Sequence, residues 1–457
     1  MNNHTDTPDI TVIDEVLKQI VHEETEEKAT KATQKEEQTM PKLSLELSLK
    51  RRLDELPKKD DTTVFLSICR IPANIRERDK MFYEPRVVSI GPFYRGRDSL
   101  RAMEEQKVYL LRDFLARYPE TDIKVLVKEV RLLEDQARQC YAESIDLDSR
   151  EFVEMLLLDG CFILENAIKW LNNEPNRLKH VRWATQCIFS DLLLVENQIP
   201  FFVVMKLISL IQADEKKRTE LLYILSAYFG SNFFCVVPFH VDTHSLCQAR
   251  NLVHLYYQLF VPKRRSYQSN PKNTCASTSR RGLLSTFKLC IFPQVASQGD
   301  PKQIIEEPIY VIPCATELLQ SGIIFKPKKS PTDLLDITFE DGILEMPPLS
   351  LGPRDKVTFL NAVAFEQSSG EDEFLPFTSY VALMENLVKT SKDVVALRQC
   401  GIIYTFDPNE EEVALFFNHA GQVCSLDYNN HYLANLFTEI KSYYNGRQNM
   451  FKDKTRV

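Results

Sequence analysis

The stretch DLLLVENQIPFFVVMKLI, Asp191 to Ile208, limits what this chain can fold into more than any other segment. It is almost wholly apolar and so belongs in a core, yet Glu196, Asn197 and Gln198 sit in its middle. Burying a carboxylate or an amide costs free energy unless its polar atoms find partners. Pro200 breaks a helix interior but is accepted in a first turn. The run therefore predicts one helix ending near Val195 or Glu196 and a second beginning near Asn197, with Asn197 as its cap and Gln198 and Ile199 in its first turn. Glu196 then lies beside free N–H groups, where the helix dipole favours a carboxylate. On this reading the three polar residues close a buried corner. A rival reading makes Glu196 a general base in a pocket, although no second catalytic group accompanies it in sequence.

The rest of the chain supports a large core. Of 457 residues, 44% are hydrophobic, and long helical patterns recur. Met103 to Tyr118 carries one apolar face, and the stretch from Ile123 to Glu143 continues helical. SREFVEMLLLDGCFILENAIKWL, from Ser149, is apolar nearly all round and predicts a buried helix. KRTELLYILSAYF, DKVTFLNAVAFEQ, TSYVALMENLVKT, KDVVALRQCGII, NEEEVALFFNHAG and NNHYLANLFTEIKSYYN predict more helices, with caps at Thr378 or Ser379, at Ser391 and at Asn409. Between these groups, SGIIFKP and DLLDITFEDGILEMPPLSL read as strands: Leu335, Ile337 and Phe339 alternate with polar neighbours, EDG sits at a hairpin turn, and Pro347 and Pro348 end the second strand or hold it at an edge. The fold class expected is α+β: one large, predominantly α-helical domain with a small antiparallel sheet in its C-terminal half.

Residues 1–62 form a separate acidic tail in this reading. Residues 1–61 hold 15 Asp and Glu against 10 Lys and Arg and have no aromatic side chain, a composition that predicts disorder. Within it, Ile10 to Val21 has the spacing of a short helix. LSLELSL, Leu43 to Leu49, alternates with period two and reads as a tail segment touching the domain; a leucine-repeat docking peptide of the kind plant transcriptional repressors use is its rival. The domain then spans 63–457, divided into a helical part at 63–262, a basic mobile loop at 263–282 with six Lys and Arg and no acid, and the sheet with its helices at 283–457.

Composition narrows the function. A net charge of −8 argues against general nucleic-acid binding. The eleven cysteines are scattered, with no C-x-x-C, and the N-terminus has no signal-like h-region, so the expectation is a cytoplasmic protein with reduced thiols. No segment reaches the length of a membrane span. Phosphate loops, G-x-S-x-G and H-E-x-x-H are absent. Cys235, His240, His244 and Cys247 are zinc-type ligands at spacings unlike a finger or ribbon, and packing residues are the favoured reading. Arg95 and Arg97 precede a helix and read as a salt-bridged turn ahead of an anion site. The residues therefore point to no catalytic, cofactor-binding or metal site.

Ordered blocks resemble one plant family, that of domain of unknown function 247. CRIPANIRERDKMFYEPRVVSIGPFYRG, LRAMEEQKVYLLRDFL, LLLDGCFILE, DLLLVENQIPFFVV, ATELLQSGIIFKP, LDITFEDGILEMPPL, NAVAFEQ, SKDVVALRQCGII and EEVALFFN follow the family order over roughly residues 64–445. The resemblance implies no catalytic residues and no cofactor. It implies an interaction protein with protein partners, and for some grass members a pollen-side part in self-incompatibility. Family members often end in a single apolar span, whereas here the sequence stops after IKSYYNGRQNMFKDKTRV. The reading is a non-enzymatic recognition protein; its alternative is a cryptic enzyme using Glu196, or a zinc protein using Cys235, His240, His244 and Cys247.

Overall fold

The computed structural model describes residues 45–54, 67–175, 182–212, 214–230, 243–261, 311–369, 375–405, 409–422 and 424–454. They fall into two units, one up to Thr63 and one from Val64 onward. In the first, Leu45–Asp54 is an α-helix, so the period-two alternation of LSLELSL does not set its backbone. Its Leu45, Leu49 and Leu53 recur every four residues and are exposed. The Ile10–Val21 helix and the basic loop at 263–282 lie outside the described residues.

The second unit is organised around the helix Ser149–Leu171. Asp148 and Glu151 form its capping box: Glu151 N–H donates to Asp148 Oδ1 at 2.7 Å and Asp148 N–H donates to the Glu151 carboxylate at 3.2 Å. Nearly every side chain from Phe152 to Lys169 is buried, because helices Arg101–Arg117, Ile123–Arg131, Phe201–Ile211 and Glu215–Gly230 pack around it. Gly160 brings the Phe201–Ile211 helix close: a Cβ there would sit 2.5 Å from Leu207 Cδ1. The stretch from Ile123 forms two helices, Ile123–Arg131 and Glu134–Gln139, broken at Leu132 and Leu133.

The C-terminal half carries the small sheets. Strands β2 (Thr338–Glu340) and β3 (Ile343–Met346) form the antiparallel hairpin expected from EDG. Asp341 and Gly342 take φ of 50° and 80°, the left-handed pair that a two-residue turn matching strand twist requires. Strand β1 (Ile324–Pro327) joins β3 in parallel, with Ile324 opposite Ile343, so the hairpin gains a parallel neighbour that alternation alone does not specify. Met346 ends β3 just before Pro347 and Pro348. Strand β4 (Leu349–Leu351) pairs in parallel with β5 (Ile403–Thr405). Helices Pro353–Ser369, Pro376–Leu387, Ser391–Gln399, Glu410–Gln422 and Ala434–Lys454 complete this half. The result is a mostly helical fold with small sheets in its C-terminal half.

Two caps differ from expectation. Thr390, not Ser391, caps Ser391–Gln399, because Asp393 closes a capping box with it. Neither Thr378 nor Ser379 caps Pro376–Leu387; the Glu366 carboxylate accepts the Phe377 and Thr378 N–H groups instead, each at 2.7 Å. Asn409 does cap its helix, accepting from Glu411 N–H at 3.1 Å.

Candidate functional site: the Glu196 corner and its cavities

The Asp191–Ile208 run folds as two helices joined by a buried, non-helical bend. The first helix, Arg182–Asp191, ends four residues before Val195, and the second begins at Phe201 with Pro200 in the cap position and no side-chain cap. Asn197 is therefore not an N-cap. Its Oδ1 accepts from Ile90 N–H at 2.7 Å, and its Nδ2 donates to the carbonyls of Val88 and Asp191 at 3.0 and 2.8 Å. Gln198 Nε2 donates to the Leu192 and Leu194 carbonyls, both at 2.8 Å, while its Oε1 accepts from Leu252 N–H. The amides thus satisfy the orphan carbonyls where the first helix stops.

Glu196 is buried and meets donor groups of four residues. Ile71 N–H donates to Oε1 at 2.7 Å, and Tyr94 OH donates to Oε2 at 2.6 Å. Arg76 Nη1 reaches both oxygens at 3.2 and 3.3 Å, and Arg70 Nη1 lies 3.6 Å from Oε2. The Tyr94 hydroxyl has its pKa pushed up by burial and by the carboxylate it donates to.

Neighbouring charges extend the same pattern. Asp191 accepts the N–H groups of Arg86, Val87 and Val88, and burial pushes its pKa up to about 6. Asp159 accepts Gly91 N–H at 2.7 Å and pairs with the buried ammonium of Lys107 at 2.6 Å; burial raises its pKa as well. Gly91 has φ 75°, and a Cβ there would lie 2.1 Å from the Gln198 carbonyl oxygen. Residues 86–91 are therefore held into the helical core by carboxylates and amides of the run and of the central helix. Sequence reasoning passed over Asp159 and Asp191, although a single acid inside an apolar helix pattern is itself a signal that a donor must reach it.

One cavity adjoins this corner, and a second lies beyond it. One, of about 180 Å³, is lined by Cys69, Arg70, Val195, Leu360, Gln367 and Ser368 among others. Burial pushes the Cys69 thiol up, away from the thiolate a nucleophile needs. The second, of about 310 Å³, is a groove with Phe82, Leu360 and Phe416 on its walls and exposed Met81 and Leu415 at its rim. Tyr83 and Leu360 line both. Arg95 and Arg97 pair with Glu104 and Glu84, the expected salt-bridged turn. Cys235 and His240 lie outside the described residues, while Cys247 is an exposed free thiol and His244 lies within the short helix Thr243–Leu246. Among the described residues no group of His, Cys, Asp and Glu could hold a metal, and no helix is long and apolar enough to cross a membrane.

The UPF0481 protein At3g47200 of Arabidopsis thaliana is 28% identical over 391 residues, covering 83% of this chain and 78% of that protein. The putative UPF0481 protein At3g02645 of the same plant is 22% identical over 465 residues, covering 88% and 86%. No solved structure matches. The family described as plant protein of unknown function, domain of unknown function 247, matches residues 68–456, and the chain belongs to that family.

Proposed function

We propose that this chain is a non-enzymatic interaction module that binds a protein partner in the cytoplasm. The observation that carries the reading is the state of its buried acids. Asp159, Asp191, Glu196, Glu366 and Asp393 each engage backbone N–H, hydroxyl, ammonium or guanidinium donors that belong to the fold itself. A general base needs an oxygen within reach of a substrate proton, and Glu196 would have to give up Ile71 or Tyr94 to offer one. The described cysteines are free thiols, the state expected in a reducing compartment. We further propose, from the family resemblance, that recognition of self in pollen is the process such a module serves.

The test is enrichment from plant extract on the immobilised chain, followed by reconstitution from purified components. A saturable complex of fixed stoichiometry, with no turnover of substrate by the chain, supports the reading. Turnover that Glu196→Gln abolishes while the melting temperature stays at the parent value overturns it.

A further inference from the structure

Arg70, beside the Glu196 corner, is a guanidinium held in place with donors to spare. It lies over the Phe93 ring, with Cζ 4.2 Å from the centroid, and its Nε–H donates to Glu143 at 3.0 Å. Its Nη1 stays 3.6 Å from Glu196 Oε2, beyond hydrogen-bond range. Among the described residues its Nη donors therefore have no hydrogen-bond acceptor. The charges leave the same surplus. Arg70 and Arg76 share one buried carboxylate, Glu196. The other acid, Glu143, is half-exposed, and such a pair is weak.

Arg70 also lines the cavity of about 180 Å³. Val195, Leu360 and Val363 are buried walls of that cavity, whereas Arg70 is partly exposed and Ser368 is exposed, so the apolar walls lie inside and the cation at the mouth. Two polar walls are already engaged. Gln367 donates to Thr378 Oγ1 and accepts from Ser425 N–H, both at 3.0 Å, and Ser368 OH donates to the Phe365 carbonyl at 3.0 Å. Tyr83 is not: it is 3% exposed, it lines the cavity, and its hydroxyl has no hydrogen-bond partner among the described residues. An apolar cavity of about 150 Å³ holds benzene, so the space suits one ring or a chain of about six carbons.

We propose that this cavity binds a small monocarboxylic acid, with its ring or short chain against Val195, Leu360 and Val363 and its carboxylate on the Nη donors of Arg70, the Tyr83 hydroxyl serving as a further donor. A carboxylate only accepts, and it can take two guanidinium N–H groups at once, which makes such a pair strong. A neutral amide of the same shape brings one acceptor and no charge. Binding of this kind needs no protein partner. It ties Arg70 and Tyr83 to the helix Pro353–Ser369, so saturating acid raises the melting temperature.

Calorimetric titration of the full chain with benzoate and hexanoate, against benzamide and acetate, tests the site. Benzoate should bind about tenfold or more tightly than benzamide, because a hydrogen bond to a charged group is the stronger kind. Hexanoate should likewise exceed acetate, which lacks the apolar body. Arg70→Gln should weaken benzoate by about tenfold or more. Tyr83→Phe gives up no bond in the free fold and should weaken benzoate at an unchanged melting temperature. Cys69 lines the same cavity, so benzoate should slow its alkylation, read residue by residue by mass spectrometry, and acetate should not. The absence of saturable benzoate binding, equal affinity for benzoate and benzamide, parental benzoate affinity in both variants, or Cys69 alkylation that saturating benzoate leaves unchanged overturns the proposal. Should Arg70→Gln fail to fold, the contrast of acid with amide and the Cys69 protection in the parent still decide it.

Discussion

Ile90 N–H donates to Asn197 Oδ1 at 2.7 Å across 107 residues of sequence, and Asn197 Nδ2 returns the contact at the Val88 carbonyl at 3.0 Å. A single amide thus pins an extended segment to the bend that joins two apolar helices. Removing an N-cap costs about 0.5–2 kcal/mol, whereas each buried group left without a partner costs about 1–3 kcal/mol. Asn197→Ala strands the Ile90 N–H and the Val88 and Asp191 carbonyls, so the loss should be about 3 kcal/mol or more. Urea unfolding at unchanged slope measures it, and a loss below about 1 kcal/mol would mean that the amide acts as no more than a cap.

Gly91 and Gly96 form a matched pair. Both have positive φ, at 75° and 82°, but a Cβ on Gly91 would strike the Gln198 carbonyl while one on Gly96 meets nothing within 4 Å. Gly96→Ala should cost about 1–2 kcal/mol from the left-handed backbone alone. Gly91→Ala should cost clearly more and lower soluble yield. Equal melting temperatures for the two variants would contradict the close approach.

Lys107 is a buried ammonium between Asp159 Oδ1, at 2.6 Å, and the Ser89 carbonyl, at 2.6 Å. Lys107→Met leaves Asp159 charged and unpaired, a loss of roughly 3–5 kcal/mol. Adding Asp159→Asn should recover part of it. A double-mutant cycle measures the coupling, and strict additivity would show that the two groups do not act as a pair.

The pH dependence of stability has two opposing parts. His254 and His431 are pushed down to about 4, chiefly by burial. An unfolded histidine takes its proton near 6.5, so their contribution is complete above that pH and is lost as pH falls toward 4. Glu366 and Asp191, pushed up to about 7 and about 6, add stability over much of the same fall in pH. His431 accepts Leu433 N–H on Nδ1, a bond that an asparagine at this position can also make. His431→Asn should therefore gain stability relative to the parent as pH drops from 6.5 to 4. Parallel melting curves across that window would contradict the assignment.

Local patterns carried much of the fold. The apolar texture of Ser149–Leu171, the turn chemistry of Asp341–Gly342 and the cap at Asn409 depend on near neighbours, and the structure has them where the sequence places them. The bend at Glu196 was legible as polar and buried but not in its wiring. Its partners Ile71, Arg76, Val88, Ile90 and Tyr94 lie about a hundred residues away, and no periodicity connects them. The Glu366 cage was hidden for a related reason: Thr378 looked like a cap, and nothing local shows that a carboxylate from the preceding helix has taken its place. The parallel pairing of β1 with β3 is likewise a long-range choice that alternation leaves open.

We propose that Glu196 holds the fold rather than performing chemistry. The most direct measurement is chemical unfolding and partner binding on the same samples of Glu196→Ala. The parent carboxylate satisfies Ile71 N–H, Tyr94 OH and Arg76. Removing it should cost roughly 3–5 kcal/mol because those donors are left behind, and the fraction that stays folded should bind the partner with parental affinity. A variant that unfolds like the parent yet loses binding or any turnover would contradict the account and place Glu196 in a functional role.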